Sequence, residues 1–162
     1  MIHLRPYIDS DEETVLSWCR DEETFYRWTA GVLGDYPLTP ERFAKTGSLM
    51  RITALHIDSP AGFFTLRNPD GRLNELRFGF VIVSPELRGK GIGRQMITEG
   101  LKYVFDNYRA ARATISVFET NTPAYKCYLS AGFRETGVKE TYTVNGETIT
   151  AVEMEYQKPM SG

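Results

Sequence analysis

The sequence predicts an α/β domain of the mixed α+β kind, with a single, mostly antiparallel sheet flanked by helices. Strands follow one another directly in the middle of the chain, whereas strands and helices alternate after residue 76. An antiparallel meander joined to a strand–helix–strand unit is typical of one mixed sheet. A length of 162 residues corresponds to one domain, so we place a single domain over 1–162.

The N-terminal part is predicted to hold one strand over 2–7, whose apolar and polar side chains alternate, and three short helices. Each helix opens at a residue whose side-chain oxygen can accept hydrogen bonds from the first free N–H groups. The first opening has the spacing of a capping box, and the third is followed by a proline. These openings are Ser10 (with Glu13), Asp21 and Thr39. A loop rich in glycine and proline covers 30–40.

Three strands are predicted in the middle of the chain. The first two cover 51–57 and 61–67 and are joined by a turn at 58–60. The third, 76–83, is β-branched or aromatic almost throughout. Its continuous apolar character predicts a central strand covered on both faces.

The C-terminal part alternates between helices and strands. Apolar residues at helical spacing predict a helix over 91–107, and a strand follows over 113–118. A short helix over 123–131 ends at a glycine. Asn145-Gly146 then joins 138–144 to 148–156, and this dipeptide between alternating runs is a strong hairpin signal.

Composition argues against several classes of protein. A formal net charge of −2 is not the basic excess of a dedicated nucleic-acid binder. No run of 18 apolar residues predicts a transmembrane helix, and the first residues lack the apolar core of a signal peptide. We therefore expect a cytoplasmic protein without nucleic-acid or membrane partners.

Cysteine and histidine usage argues against a metal centre. Cys19 and Cys127 are too few for a disulfide framework, and we expect both to be reduced and mostly buried. His3 and His56 lie within predicted strands. No histidine and cysteine cluster has metal-ligand spacing, so no metal site is predicted.

The most informative segment is a glycine-rich turn between the central strand and the 91–107 helix. The first N–H groups of a helix lack intrahelical partners and lie at the positive end of its dipole. Alternating glycines allow close approach to the backbone, and three basic residues add positive charge. Residues 88–94 therefore resemble a pyrophosphate cradle.

Three phosphate motifs compete for this turn. A P-loop needs Ser or Thr after Gly-Lys, but Gly91 follows Lys90. A dinucleotide fingerprint needs G-x-G-x-x-G, whose last spacing is wrong here and whose place is at the start of a domain. Arg88-x-x-Gly91-x-Gly93 resembles the coenzyme A signature, Q/R-x-x-G-x-G/A, of the GNAT family of N-acetyltransferases.

A second segment, 117–133, strengthens this resemblance. In GNAT enzymes a strand ends at an Asn, and a short helix carrying Ala and Tyr then closes with Gly-Phe. The corresponding residues are Asn121, Ala124, Tyr128, Gly132 and Phe133. We expect Thr122 to cap this helix, which would leave the Asn121 side chain free for a ligand.

The resemblance, which covers 76–133 and is placed near the ribosomal-protein N-acetyltransferase-like branch, implies a GNAT-like fold with splayed central strands. It implies direct transfer of an acetyl group from acetyl-CoA to a primary amine in a ternary complex. Tyr128 would protonate the leaving thiolate. The implied coenzyme contacts are Val81, Ile82, Val83, Arg88, Gly89, Lys90, Gly91, Ile92, Gly93, Arg94 and Asn121.

The residue that takes the proton from the amine is left open. Many family members use a Glu on a central strand, where this sequence has Arg77 and Ser116. Glu75, Glu119 or a water chain are the alternatives. This departure keeps a catalytically silent acyl-CoA-binding module or sensor as an alternative function, and a nucleotide-binding protein as a third.

The amine acceptor is a small molecule or a peptide, and its pocket is expected between the N-terminal helices and the final hairpin. An aromatic-rich set lies there, consisting of Phe25, Tyr26, Trp28 and Tyr36. The many acids of residues 1–23 are interpreted as helix N-terminal residues rather than as a binding rim. The exposed final hairpin would allow a homodimer.

Overall fold

The computed structural model describes residues 1–159, which fold into one seven-stranded sheet with helices on both faces. Residues 160–162 lie outside the described part, and the single domain over 1–162 stays a prediction. The strands are β1 (Ile2–Pro6), β2 (Met50–His56), β3 (Ser59–Arg67), β4 (Glu75–Val83), β5 (Arg112–Phe118), β6 (Arg134–Val144) and β7 (Glu147–Gln157). The α-helices are α1 (Glu12–Ser17), α2 (Glu22–Thr29), α3 (Pro40–Phe43), α4 (Ile92–Asn107) and α5 (Thr122–Ala131).

The sheet has the order β1-β2-β3-β4-β5-β7-β6, and every neighbouring pair is antiparallel except β4 with β5. This confirms the predicted mixed, mostly antiparallel sheet. The parallel pair is short, since residues 75–77 pair with 112–114 and the pairing then ends. Beyond that point β4 and β5 diverge, which confirms the predicted splayed central strands.

Two layers cover the sheet. On one face, α4 and α5 pack on the main core, where Met96, Ile97 and Phe133 are fully buried. Burying one such side chain stabilises the fold by roughly 1.5–3 kcal/mol. The close contact of α4 depends on Gly100, because a Cβ at this position would lie 2.7 Å from Cε1 of Phe78.

On the other face, α1, α2 and α3 cover β3 and the end of β4 through a smaller aromatic cluster that includes Trp28, Phe43 and Phe63. These helices leave the polar side chains at the start of β4 and on β5 and β7 without a helical cover. The central strand is thus only partly buried, contrary to the prediction that both faces are covered, because the diverging strands leave a cleft beside it.

The predicted helix starts at Asp21 and Thr39 are confirmed, and both residues are N-caps in the structure, but the predicted cap of α1 is wrong. A 3₁₀ turn over Asp9–Asp11 precedes the helix. Asp11, not Ser10, supplies the carboxylate that organises this turn. It accepts from the N–H of Ile8 at 3.0 Å, from Thr53 at 2.8 Å and from Arg5 at 2.7 Å.

Both cysteines are free and half-buried, so the predicted reduced state agrees with the structure and the predicted burial is only partial. His3 and His56 lie in β1 and β2, as predicted. Within residues 1–159 no helix combines the length and the apolar character needed to cross a bilayer.

Candidate active site

The candidate site is a cleft of about 1180 Å³ that opens where β4 and β5 separate. It runs from the glycine-rich turn at the start of α4, along β4, to the uncovered polar face of the sheet. Within the described residues, no strand pairs with the cleft side of β4 after Arg77. This stretch of backbone is therefore available to a ligand that adds to the edge of a strand.

A β-bulge shapes the middle of the cleft wall. The register of β3 with β4 shifts between Phe63 and Thr65, and Phe80 has a positive φ of 47°. A left-handed conformation at a phenylalanine is uncommon and is held here by tertiary contacts. The indole Nε1 of Trp28 donates to the carbonyl oxygen of Phe80 at 2.8 Å. The bulge thus turns the β4 backbone toward the cleft at Phe80 and Val81.

The glycine-rich turn forms one end of the cleft, and we call residues 88–94 the cradle. Gly89 and Gly91 have φ values of 75° and 77°, and a Cβ built on either meets no atom within 4 Å. Gly91 is the N-cap of the 16-residue helix α4. The open space and the unpartnered N–H groups suit a phosphate group.

The structure places nearly all predicted coenzyme residues on the cleft wall. Val81, Ile82, Val83, Arg88, Gly89, Gly91, Ile92, Gly93, Arg94 and Asn121 line it. Lys90 is exposed and does not line the cleft, so its role stays a prediction. Arg88 and Arg94 form no ion pair with any residue in 1–159, which leaves both charges for an anion.

Asn121 is the N-cap of α5, and its Oδ1 accepts from the N–H of Ala124 at 3.4 Å. The prediction that Thr122 is the cap is therefore wrong, because Thr122 is the first helical residue. The Asn121 side chain is only partly free for a ligand: its amide oxygen serves the helix, whereas its amide N–H₂ group is not used by this cap.

Tyr128 lies on the cleft wall one helical turn after Ala124 and is 7% exposed. Burial raises the pKa of its phenol well above the usual value, and the neighbouring Cys127 acts in the same direction. A phenol in this environment stays protonated at neutral pH. It can donate a proton but does not act as a base.

The far end of the cleft is a polar chamber, bounded by Thr65 and Arg67 on β3, Arg77 on β4, and Glu140 and Tyr142 on β6. Arg77 forms the floor where β4 and β5 separate. Its guanidinium pairs with Glu153 at 2.9 Å and lies 3.7 Å from Glu140, and it also donates to Ser116.

The two carboxylates predicted as alternative bases do not line the cleft. Glu75 accepts from Arg112 at 3.0 Å and from Thr114 at 2.6 Å. Glu119 is exposed, pairs with Lys139 at 3.5 Å, and lines a separate cavity of about 270 Å³.

Sequence reasoning missed Glu140, the one carboxylate that lines the main cleft among residues 1–159. The hydroxyl of Tyr142 donates to it at 2.8 Å. The spacing of Glu140 and Tyr142 does indicate a shared strand face. Nothing in the sequence indicates that this strand face lines the cleft.

The predicted aromatic acceptor pocket is mostly core. Phe25 and Tyr26 are buried in a cluster with Phe118, and Tyr36 packs on the Phe25 ring. Of the four, only Trp28 lines the cleft. No acid of residues 1–23 lines it either, which agrees with their interpretation as helix N-terminal residues.

A family model described as the Acetyltransferase (GNAT) family matches residues 10–133. The chain belongs to the GNAT family. This confirms the resemblance carried by 76–133 and removes the case for a dinucleotide-binding protein, whose sheet would be mostly parallel.

Known relatives share the fold and parts of the sequence. The spermine/spermidine N(1)-acetyltransferase of Bacillus subtilis (strain 168) is 29% identical over 87 residues, which are 54% of this chain. The match spans about half of that relative, 53%. The structure of spermidine N-acetyltransferase from Vibrio cholerae with CoA and spermine has a TM-score of 0.81 and 19% identity, covering 96% of this chain and 95% of that one.

The structure of the ribosomal-protein-S18-alanine N-acetyltransferase from Escherichia coli is 19% identical and has a TM-score of 0.73. The match covers 100% of this GNAT chain and 97% of the Escherichia coli chain. Identities this low establish the fold alone. The expected proximity to the ribosomal-protein branch is therefore met in fold, but polyamine acetyltransferases match this fold as well.

Proposed function

We propose that this protein transfers the acetyl group of acetyl-CoA directly to a primary amine in a ternary complex. The observation that carries the proposal is the single cleft that joins the cradle to a polar chamber through the gap between β4 and β5. An amine entering from the chamber and a coenzyme entering from the cradle would meet beside the bulge at Phe80. CoA in the Vibrio cholerae relative supports this arrangement.

The cradle fits the diphosphate of coenzyme A, since its two open glycines leave room where a Cβ would stand. N–H groups at the start of α4 would donate to the phosphate oxygens, and Arg88 and Arg94 would balance their charge. The pantetheine arm would add to the free edge of β4 along 81–83. The amide N–H₂ of Asn121 would contact the same arm.

Two groups would assist the transfer itself. Backbone N–H groups near the bulge would stabilise the negative charge that develops on the thioester oxygen. Tyr128 would donate its proton to the leaving sulfur. Its raised pKa makes the phenol a weaker acid than usual, so the proton would move only as the thiolate forms within hydrogen-bond distance of the hydroxyl.

Glu140 is our proposed acceptor for the proton that the amine releases. It replaces Glu75 and Glu119 as the candidate because it faces the cleft and they do not. A bridging water would be needed if the amine lies beyond direct reach of the carboxylate. The non-catalytic acyl-CoA-binding alternative rests on Arg77, an immobilised cation at a position where many family members carry a Glu.

The first experiment is a calorimetric titration with acetyl-CoA, with NAD as the control, followed by acetyl transfer to a panel of amines. Micromolar one-to-one binding of acetyl-CoA together with turnover supports the enzyme. Binding without turnover on any amine supports the acyl-CoA sensor. No binding by folded protein would reduce the cradle to a helix cap and overturn the proposal.

We also expect a cytoplasmic protein, and a homodimer in which the final hairpin pairs between subunits. The edge strand β6 supports this expectation, because β7 is its only strand neighbour among residues 1–159. Light scattering of the protein, and of a variant with Pro at Thr141, would distinguish dimer from monomer.

A further inference from the structure

The charges of the polar chamber limit which amines it accepts. Two cationic residues, Arg67 and Arg77, line the chamber, and Arg27 and Lys45 line the same cleft. The opposing charge on the cleft wall is the single carboxylate of Glu140. A binding site selects partners of complementary charge.

Not all of these cations are free. Arg77 is neutralised by Glu153 at 2.9 Å, and Arg27 pairs with Glu23 at 3.0 Å. Arg67 and Lys45 are exposed, and neither forms an ion pair within residues 1–159. Arg67 on β3 therefore leaves one uncompensated positive charge in the chamber, and Lys45 leaves a second one elsewhere on the wall of the same cleft.

Arg67 and Glu140 stand on opposite sides of the same space. Arg67 is the cross-strand partner of Arg77, which lies 3.7 Å from Glu140. Tyr142 lies close enough to both sides to be affected by each. Burial and the hydrogen bond to Glu140 raise its pKa, whereas the charges of Arg77 and Arg67 lower it. The chamber thus presents the Glu140 carboxylate on the β6 side and the unpaired Arg67 guanidinium on the β3 side.

We propose that the acceptor is an amine that carries its own carboxylate, as an α-amino acid does, and not a polyamine. Its carboxylate would pair with Arg67, with Lys45 as a second unpaired cation on the wall of the same cleft, and its amine would lie toward Glu140 and the β4 bulge. Arginine binds carboxylates through two parallel N–H donors, which would also fix the orientation of the amine. This inference rests on the proposed function and names the substrate class of that site.

A polyamine fits this chamber poorly. Each of its ammonium groups needs an anionic or polar partner, but the single carboxylate here already accepts from Tyr142 and lies near Arg77. The remaining cations of the wall would repel it. The acceptor is therefore expected to differ from that named for the spermine/spermidine N(1)-acetyltransferase relative.

The test is a calorimetric titration of the protein, saturated with CoA, with the twenty L-amino acids, the C-terminal amide of the best one, and spermidine. The free acid is expected to bind at least tenfold more tightly than its amide and more tightly than spermidine. A dipeptide that begins with the same residue and ends in aspartate is titrated as well. Weaker binding of the dipeptide than of the free amino acid supports a free amino acid as acceptor, whereas tighter binding would mean that the acceptor is a peptide N-terminus and would overturn the inference. Equal or tighter binding of the amide or spermidine, or no binding of any acid at 10 mM, would overturn the inference.

Two variants locate the effect. Arg67→Gln with Lys45→Gln is expected to bring the acid-to-amide affinity ratio close to one while leaving CoA binding unchanged. Arg72→Gln, an exposed arginine outside the cleft, is the control and should keep the wild-type ratio. A ratio unchanged in the double variant would also contradict the inference. Loss of CoA binding in the wild-type protein would instead mean that the proposed function has failed.

Discussion

The two ends of the cleft are built from different parts of the chain and from different chemical groups. The cradle comes from seven consecutive residues and offers backbone N–H groups, open glycines and two free arginines. The polar chamber is assembled from β3, β4 and β6 and offers charged side chains held by an ion-pair network. A diphosphate is constant from one acyl-CoA to another, so a local backbone motif suffices, whereas the acceptor is selected by side chains that can vary independently.

The largest effect is expected at the cradle. Gly91→Glu would place a side chain and a negative charge in the proposed diphosphate site, and should weaken acetyl-CoA binding at least a hundredfold. Gly71→Glu is the matched control, because Gly71 also has a positive φ and open space around its Cβ position but lies outside the cleft. Calorimetry on both variants separates loss of the site from backbone strain. Equal affinities would show that the cradle binds no phosphate.

Between the two ends, Tyr128→Phe tests the donor to the leaving sulfur. Loss of its proton should lower kcat about 10²-fold while acetyl-CoA affinity stays similar. Tyr125→Phe on the same helix is the control, since that hydroxyl donates to Glu135 and does not line the cleft. An unchanged kcat in steady-state kinetics would show that Tyr128 is not the proton donor.

At the chamber, Glu140→Gln retains the shape of the side chain but removes its charge. We expect kcat/KM to fall by about 10- to 100-fold, because the amine loses its proton acceptor. Glu135→Gln, on the same strand and outside the cleft, should retain wild-type activity. If Glu140→Gln is equally active, water accepts the proton and the chamber contributes only binding.

The chamber floor should also matter for folding, unlike the cradle. Arg77→Met leaves Glu153 with only Thr136 as its partner, and should lower the free energy of unfolding by about 2 kcal/mol. Arg67 is the cross-strand partner of Arg77 and forms no ion pair within residues 1–159. Arg67→Met should therefore lower the free energy of unfolding by less than about 0.5 kcal/mol. Urea unfolding measures both, and similar losses would contradict a structural role for the network.

The smallest effect concerns pH. Burial alone would raise the pKa of Asp11, but hydrogen bonds from Arg5, the Ile8 N–H and Thr53 lower it below the usual range. The folded state thus favours the ionised form of Asp11. Its contribution to the free energy of unfolding is fully present above the pKa of an aspartate in the unfolded chain, about 3.9, and is lost as pH falls below that value. The free energy of unfolding should therefore change less between pH 6 and pH 3 in Asp11→Asn than in the wild-type protein. Asp106→Asn, at an exposed site, should retain the wild-type difference.

The sequence determined the parts of this protein that depend on neighbouring residues. The β-branched and aromatic run of β4, the helical stripe of α4, the Asn145-Gly146 turn and the cradle motif each depend on contacts within a few residues. Their spacing was therefore sufficient to predict them, and the cradle and its family resemblance followed. The cap of α5 was misplaced by one residue because Asn121 and Thr122 are both suitable caps.

Only the tertiary structure decided what faces the cleft. Glu75 and Glu140 are both strand carboxylates, but sheet order and register direct one to Arg112 and the other into the chamber. Phe25 and Trp28 share a helix, but packing buries the first in the core and leaves the second on the cleft wall. Which strand face is open depends on where β4 and β5 separate, and this separation results from pairings between residues far apart in the chain.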